Sequence, residues 1–322
     1  MNLRKHIMSR ILVTGGAGFI GSHLVDQLVN EDNQVIVFDN LSSGHLEFIK
    51  PALSTGKVEF VSGDLLDLEV ISEAMNSIDM VYHLAANPDI RLGTSVTDTD
   101  LKQGTIATYN VLEAMRLNGC KKIAFASSSV VYGEAKVMPT PENYGPLFPI
   151  SLYGASKLGS EGLISAWVGT FGIKAWIFRF ANIIGSRGTH GVIFDFIHKL
   201  KKDPGKLEVL GNGLQEKSYM EVIDCSKAMI HVVGKFNDDL NYINLGSSDT
   251  CSVRRIAEIV IESSGFNNVS MEFTGGDRGW AGDVPKAMLA VEKLISSGFV
   301  CNYQSEDAVM HTAKSLIEEI GL

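Results

Sequence analysis

Tyr153 and Lys157 stand four residues apart in the segment Tyr153-Gly154-Ala155-Ser156-Lys157. On a helix this spacing puts both side chains on one face. An ammonium beside a phenol favours the phenolate and lowers the tyrosine pKa toward neutrality. Such a tyrosine takes the proton of a hydroxyl as hydride leaves the carbon that bears it. Upstream lies Ser127-Ser128-Ser129-Val130-Val131-Tyr132-Gly133, where a serine hydroxyl could share the same substrate oxygen. A Tyr-x-x-x-Lys spacing also describes many solvated helix faces, so the surrounding elements decide what it means.

The first such element is at the start of the chain. Arg10 to Thr14 reads as a short buried strand, and Ser22 to Asn30 has apolar residues at a helical period. Gly15, Gly18 and Gly21 fall in the turn between them, and Gln34 to Phe38 is a second strand ending in Asp39. Gly15 suits a tight turn, Gly18 lets backbone approach a pyrophosphate, and Gly21 lets helix and strand pack closely. The N–H groups of the first helical turn then face phosphate. A carboxylate at Asp39 would accept bonds from both ribose hydroxyls and repel a 2′-phosphate, which favours NAD over NADP. With NAD in place, Lys157 could also bond the nicotinamide ribose.

Further strands are expected at Val58–Ser62, Met80–Ala86 and Lys122–Ser127, with helical patterns over 67–76 and 105–118 between them. This alternation predicts an α/β fold with a doubly wound parallel sheet of the Rossmann type. Ligands then lie beyond the carboxyl ends of the strands. Asp64, the Ala85-Ala86 pair and the serines after Ala126 all belong to that edge.

Composition narrows the partners. The 322 residues carry 28 Lys+Arg against 37 Asp+Glu, a formal net charge of −9. An acidic chain without basic blocks argues against nucleic acid and against a membrane surface. No apolar run is long enough for a spanning helix, and Ile11–Val13 is cut by glycines as no signal peptide would be. Cys120, Cys225, Cys251 and Cys301 are scattered, which gives neither a metal site nor a disulfide framework and suits the cytoplasm.

The segments Thr14–Gly21, Asp39–Gly44, Gly63-Asp64, His83–Ala86, Ser127–Gly133 and Tyr153–Lys157 together resemble the extended short-chain dehydrogenase/reductases. These are NAD-dependent nucleotide-sugar epimerases and dehydratases, and the branch most similar is that of the UDP-glucose 4-epimerases. The resemblance implies Ser128, Tyr153 and Lys157 as the catalytic group. It implies NAD contacts from Gly15, Gly18, Phe19, Ile20, Gly21, Asp39, Asn40, Ser43, Gly44, Asp64, Leu65, Leu84, Ala85 and Ala86, besides Tyr153 and Lys157. The family's 4,6-dehydratases carry Thr-Asp-Glu at the serine segment, and its UDP-glucuronate decarboxylases Thr-Ser-Glu. Here Ser127-Ser128-Ser129 has no carboxylate until Glu134, which favours epimerisation at C4 through a 4-keto sugar.

The resemblance also implies a smaller, mixed α/β substrate domain. Residues 1–181, rejoined by 221–261, would form the NAD-binding domain; 182–220 and 262–322 would hold the nucleotide sugar, with a UDP-sugar expected. Ser128, Asn182, Val192, Ile193, Lys217, Arg278 and Asp283 are the expected substrate contacts. Lys217 stands where the family usually has arginine, keeping the charge without the bidentate fork. Gly104 stands where the family often has asparagine, a loss expected to loosen the strand–helix edge near NAD. Ala287 replaces a bulkier residue of some members and suggests room for an N-acetyl group at sugar C2. A homodimer through helices 105–118 and 156–169 is expected. The alternatives are another nucleotide-sugar epimerase or reductase and a non-catalytic NAD-binding regulator, and the intact Ser128, Tyr153 and Lys157 speak against the regulator.

Overall fold

The computed structural model describes residues 8–279 and 284–322. A seven-stranded sheet has the order β11-β6-β5-β4-β1-β2-β3. Its strands are β1 (Arg10–Thr14), β2 (Gln34–Asp39), β3 (Val58–Ser62), β4 (Met80–His83), β5 (Lys122–Ser128), β6 (Lys174–Phe180) and β11 (Leu240–Leu245). β1 pairs in parallel with both β2 and β4, β2 with β3, and β4 with β5. Chain order therefore reverses between β1 and β4, the switch point at which a doubly wound sheet opens a crevice at its carboxyl edge.

The chain forms two units. The first runs to Ser127 and adds Ala155–Ile177 and Phe236–Asn241; the second takes Ser128–Gly154, Phe178–Lys235 and Tyr242–Leu322. The helices of the first are α1 (Phe19–Asn30), α2 (Leu46–Leu53), α3 (Leu68–Ala74) and α4 (Ala107–Asn118), with most of α5 (Leu152–Phe171). In its core, alternate residues Ile36 and Phe38, Ile123 and Phe125, and Ala175 and Ile177 point to one layer, as period-two strands require. Ile71 of α3, Val111, Leu112 and Met115 of α4 and Ile164 of α5 close over them. The Asp67 carboxylate starts α3 by accepting from the N–H of Glu69 and Val70, which satisfies two donors the helix leaves open.

The second unit contains β7 (Asn182–Ile184), α6 (Val192–Lys202), β8 (Lys206–Val209), β9 (Glu216–Lys217), β10 (Tyr219–Glu221) and α7 (Val222–Lys235). It continues with β12 (Cys251–Ser252), α8 (Val253–Ser264), β13 (Ser270–Phe273), β14 (Lys286–Ala287), α9 (Glu292–Ser296) and α10 (Ser305–Ile320). Ile193, Phe196, Ile197 and Leu200 give α6 one apolar stripe, packed with Ile256 and Val260 of α8 and Val309 and Leu316 of α10.

Two local readings are corrected. β4 ends at His83 rather than Ala86, because the chain turns there: Leu84 N–H still reaches Thr14 O at 3.1 Å, but Ala85 N–H goes to Thr14 Oγ1 at 3.4 Å. Gly104 does not loosen its neighbourhood. It is buried in a π-helical turn, Leu101–Ile106, that leads into α4, and a Cβ there would stand 1.9 Å from Ser156 Oγ. The missing side chain allows that turn and α5 to touch.

Candidate active site

The floor of the crevice in the first unit is backbone. Gly15 has φ +68°, its N–H donates to Phe38 O at 2.9 Å, and a Cβ on it would meet Ala85 N at 2.7 Å. A Cβ on Gly21 would lie 2.1 Å from Gly15 O, so α1 rests directly on the turn after β1. Gly18 caps α1 with no side-chain hydrogen bond, which leaves the first-turn N–H groups, from Phe19 and Ile20 onward, available to an anion. Asp39, buried at the end of β2, ties this loop down: Oδ2 accepts from Ala17 N–H at 3.0 Å and Oδ1 from Leu41 N–H at 2.9 Å. Each oxygen keeps a second lone pair for a further donor. Gly44 lies against the same carboxylate, and Ser43 beside it is exposed. Asn40 Nδ2 donates to Asp64 Oδ2 at 3.2 Å, and Leu65 O accepts from Asn110 Nδ2 at 2.8 Å. Leu84, Ala85 and Ala86 are half-buried at the end of β4.

Lys157 is only 3% exposed. Its Nζ donates to Ala126 O at 2.7 Å and sits over the Phe125 ring, 4.9 Å from the centroid. Burial pulls its pKa down to about 8, against the opposing pull of the Asp100 and Glu161 charges. Tyr153, Lys157 and Glu161 follow one another at single-turn spacing along α5, so they share a face. Ser127 Oγ donates to Glu161 Oε1 at 2.5 Å, and both residues are buried. Of the three serines, Ser127 is thus turned inward.

The second unit holds the remaining residues singled out in the sequence. Ser128 is half-buried, and its Oγ accepts from Val130 N–H at 3.4 Å. Asn182 doubles back onto β10, its N–H and Nδ2 both donating to Ser218 O at 3.2 and 3.1 Å. Val192 and Ile193 open α6 after Gly191, which offers no side-chain cap; the Ile193 side chain is in the core, so only its backbone faces outward chemistry. Lys217 on β9 is the register partner of Ala287 on β14. Arg278 Nη2 pairs with Glu134 Oε1 at 2.5 Å. Asp283 lies outside the described residues.

The sequence model of the NAD dependent epimerase/dehydratase family matches residues 11–246. A putative UDP-glucose 4-epimerase of Methanocaldococcus jannaschii is 35% identical over 298 residues, covering 90% of this chain and 92% of its own. The chain belongs to the NAD dependent epimerase/dehydratase family. Among solved structures, a UDP-galactose 4-epimerase is 40% identical with a TM-score of 0.87, over 97% of this chain and 99% of that one. The UDP-glucose 4-epimerase of Thermotoga maritima, in complex with UDP-glucose, is 29% identical with a TM-score of 0.87 over the same shares.

As a member of the epimerase/dehydratase family the protein is an NAD-dependent enzyme of nucleotide-sugar chemistry. The cradle fits that cofactor on its own terms. It has a floor that a Cβ at Gly15 or Gly21 would fill, an uncapped helix start and a carboxylate at the end of β2.

Three residues of this family member escaped the sequence reading, His83 entering it only as a letter in a motif. His83 Nδ1 is 2.7 Å from Thr14 Oγ1 and Nε2 is 3.0 Å from Thr108 Oγ1. Thr108 already donates to Gly104 O at 2.8 Å, so Nε2 carries the proton and Nδ1 accepts, a tautomer assigned from the bonding pattern. Burial pulls His83 down to about 3, with the Lys157 charge adding to the effect. It is a neutral tie between β1, β4 and α4. Glu161 and Asp100 are the other two. The i, i+4 spacing of Lys157 and Glu161 was a signal for the first, and nothing local pointed to the second.

Proposed function

We propose that this enzyme interconverts the C4 epimers of a UDP-sugar, UDP-glucose and UDP-galactose foremost, through a transient 4-keto sugar. The observation that carries the reading is the α5 face on which Tyr153 is followed one turn later by a buried, anchored Lys157. NAD, when bound, would supply the hydride acceptor for oxidation at sugar C4 and the donor for the return. Gly15, Gly18, Phe19, Ile20 and Gly21 would hold its diphosphate by backbone. Asp39, with Asn40, Ser43 and Gly44, would take the adenosine ribose, and Asp64, Leu65, Leu84, Ala85 and Ala86 would line its path.

Tyr153 takes the C4 hydroxyl proton and gives it back after the ketone turns. Lys157 lowers the cost of the phenolate by its charge, and Ser128 hydrogen-bonds the same oxygen. Asn182, the N–H groups of Val192 and Ile193, Lys217, Arg278 and Asp283 would hold the nucleotide diphosphate and ribose, with bidentate bonds from Arg278. Elimination chemistry is disfavoured, because Glu161 is buried and takes the Ser127 hydroxyl instead of facing a ligand. The small side chain of Ala287, the register partner of Lys217, supports acceptance of an N-acetyl group at sugar C2; UDP-GlcNAc turnover far slower than that of UDP-glucose would overturn this point. We also propose a homodimer through α4 and α5, for which Ile106, Tyr109 and Leu117 leave exposed apolar surface; sedimentation as a monomer would refute it.

Tyr153→Phe tests the assignment. It should lose nearly all turnover in a panel of UDP-, dTDP-, CDP- and GDP-sugars while still binding NAD. Unchanged turnover would remove Tyr153 from the reaction.

A further inference from the structure

Lys157 shares its burial with two carboxylates from different elements. Glu161, 6% exposed, is one turn further along α5 and is occupied by the Ser127 hydroxyl at 2.5 Å. Asp100 comes from the segment before α4 and is 2% exposed. Its Oδ1 accepts from Asn87 Nδ2 at 3.0 Å, while Oδ2 is buried with no hydrogen-bond partner among the described residues. A carboxylate oxygen left unpaired in the interior is unfavourable unless a nearby charge compensates it.

The backbone holds this arrangement in place. The π-helical turn Leu101–Ile106 follows Asp100 directly, and wide turns of this kind concentrate at functional sites. Gly104 in that turn has no Cβ to keep it from Ser156 Oγ, and Thr105 Oγ1 donates to Ser156 O at 3.3 Å. Two contacts therefore press the Asp100 turn onto the residue that precedes Lys157.

We infer that Asp100 is a positioning residue for the reaction, its buried carboxylate serving as the counter-charge that keeps the Lys157 ammonium charged beside Tyr153. The inference rests on the proposed Tyr153–Lys157 proton transfer. His83 on β4 is neutral, both ring nitrogens being engaged. From β5 come the Phe125 ring and Ala126 O, both of which favour a cation. Glu161 divides its carboxylate with Ser127. Asp100 Oδ2 is buried without a hydrogen bond among the described residues. The direction of the Lys157 pKa agrees: burial lowers it, and the Asp100 charge, more than that of Glu161, opposes the fall.

Removing the Asp100 charge should let Lys157 lose its proton at lower pH, leaving Tyr153 without its cation in the working range. The test uses full-length, NAD-loaded protein labelled with 13Cε-lysine, the Lys157 signal being assigned by its loss in Lys157→Met. In Asp100→Asn the Lys157 titration midpoint should fall by about one unit or more. The high-pH limb of kcat should move down with it, and KM for the UDP-sugar should stay within about twofold. If Asp100→Asn does not fold, the smaller neutral Asp100→Ser takes its place with the same expectation. An unmoved midpoint in a folded variant, with any rate loss equal at all pH values, would overturn the inference. The titration does not depend on turnover. If no nucleotide sugar is epimerised, the functional reading fails while the Lys157 midpoint still reports on Asp100.

Discussion

Gly21→Ala is the substitution in which two effects of opposite sign can be weighed. Gly21 is inside α1, its φ is negative, and alanine would favour a helix interior by roughly 0.8–1 kcal/mol over glycine. Against this, the new Cβ would stand 2.1 Å from Gly15 O, 2.8 Å from Gly16 Cα and 2.9 Å from Gly15 C. All three are backbone atoms, so no side chain can rotate away. The oxygen contact is roughly 1 Å too short, and overpacking of this kind costs about 1–3 kcal/mol. The clash should win, for a net destabilisation of up to about 2 kcal/mol. Relief requires α1 to back away from the glycine turn, which withdraws its first-turn N–H groups. Losing one charged hydrogen bond to a phosphate is about 1.5–3 kcal/mol, or roughly 10- to 100-fold in Kd for NAD. Urea unfolding followed by circular dichroism, paired with calorimetric titration of NAD, measures both numbers. A variant as stable as the parent with undiminished NAD affinity would refute the close packing of α1 on the turn after β1.

Three further expectations concern other parts of the site. Ser127→Ala removes one donor from the buried Glu161 carboxylate, and should cost about 1–3 kcal/mol in urea unfolding; a neutral substitution would contradict the bond. His83 is held at about 3 by burial, below its ordinary 6.5. Its stabilising contribution is therefore complete above pH 6.5 and is lost as pH falls toward 3, because the unfolded chain takes up the proton first. His83→Gln should flatten the dependence of the urea midpoint on pH across that window, and an unchanged slope would contradict the neutral imidazole. Arg278 and Glu134 form an exposed pair, with side chains 40% and 52% accessible, so Arg278→Ala should leave stability within about 0.5 kcal/mol. Steady-state kinetics should nevertheless show KM for the UDP-sugar rising roughly tenfold or more; an unchanged KM would remove Arg278 from the substrate site.

Much of the sheet was legible because its signals are local. Arg10–Thr14, Gln34–Asp39 and Val58–Ser62 are short apolar runs bounded by turn residues, and the observed strands match them. Gly15 and Gly21 could be assigned their steric tasks from spacing, and the distances to Ala85 and Gly15 O bear those tasks out. Other features depend on what distant segments bring together. Asp100 reads as one acid in a polar stretch, and only the contact of Gly104 and Thr105 with Ser156 brings its turn to α5. Ser127 and Glu161 are 34 residues apart, and which of three serines turns inward follows from the pleat and the helix it meets. The strands β9, β12 and β14 have two residues each, too few for any periodicity. They exist because Lys217 finds partners in Cys251 and Ala287.

The claim of C4 epimerisation through a 4-keto sugar is tested most directly with UDP-glucose deuterated at C4, followed by proton NMR with the NAD-loaded enzyme. An equilibrium mixture with UDP-galactose is expected in which both epimers keep deuterium at C4, because hydrogen leaves and returns within one closed site. No galactose epimer, or an epimer with its C4 deuterium exchanged into solvent, would contradict it.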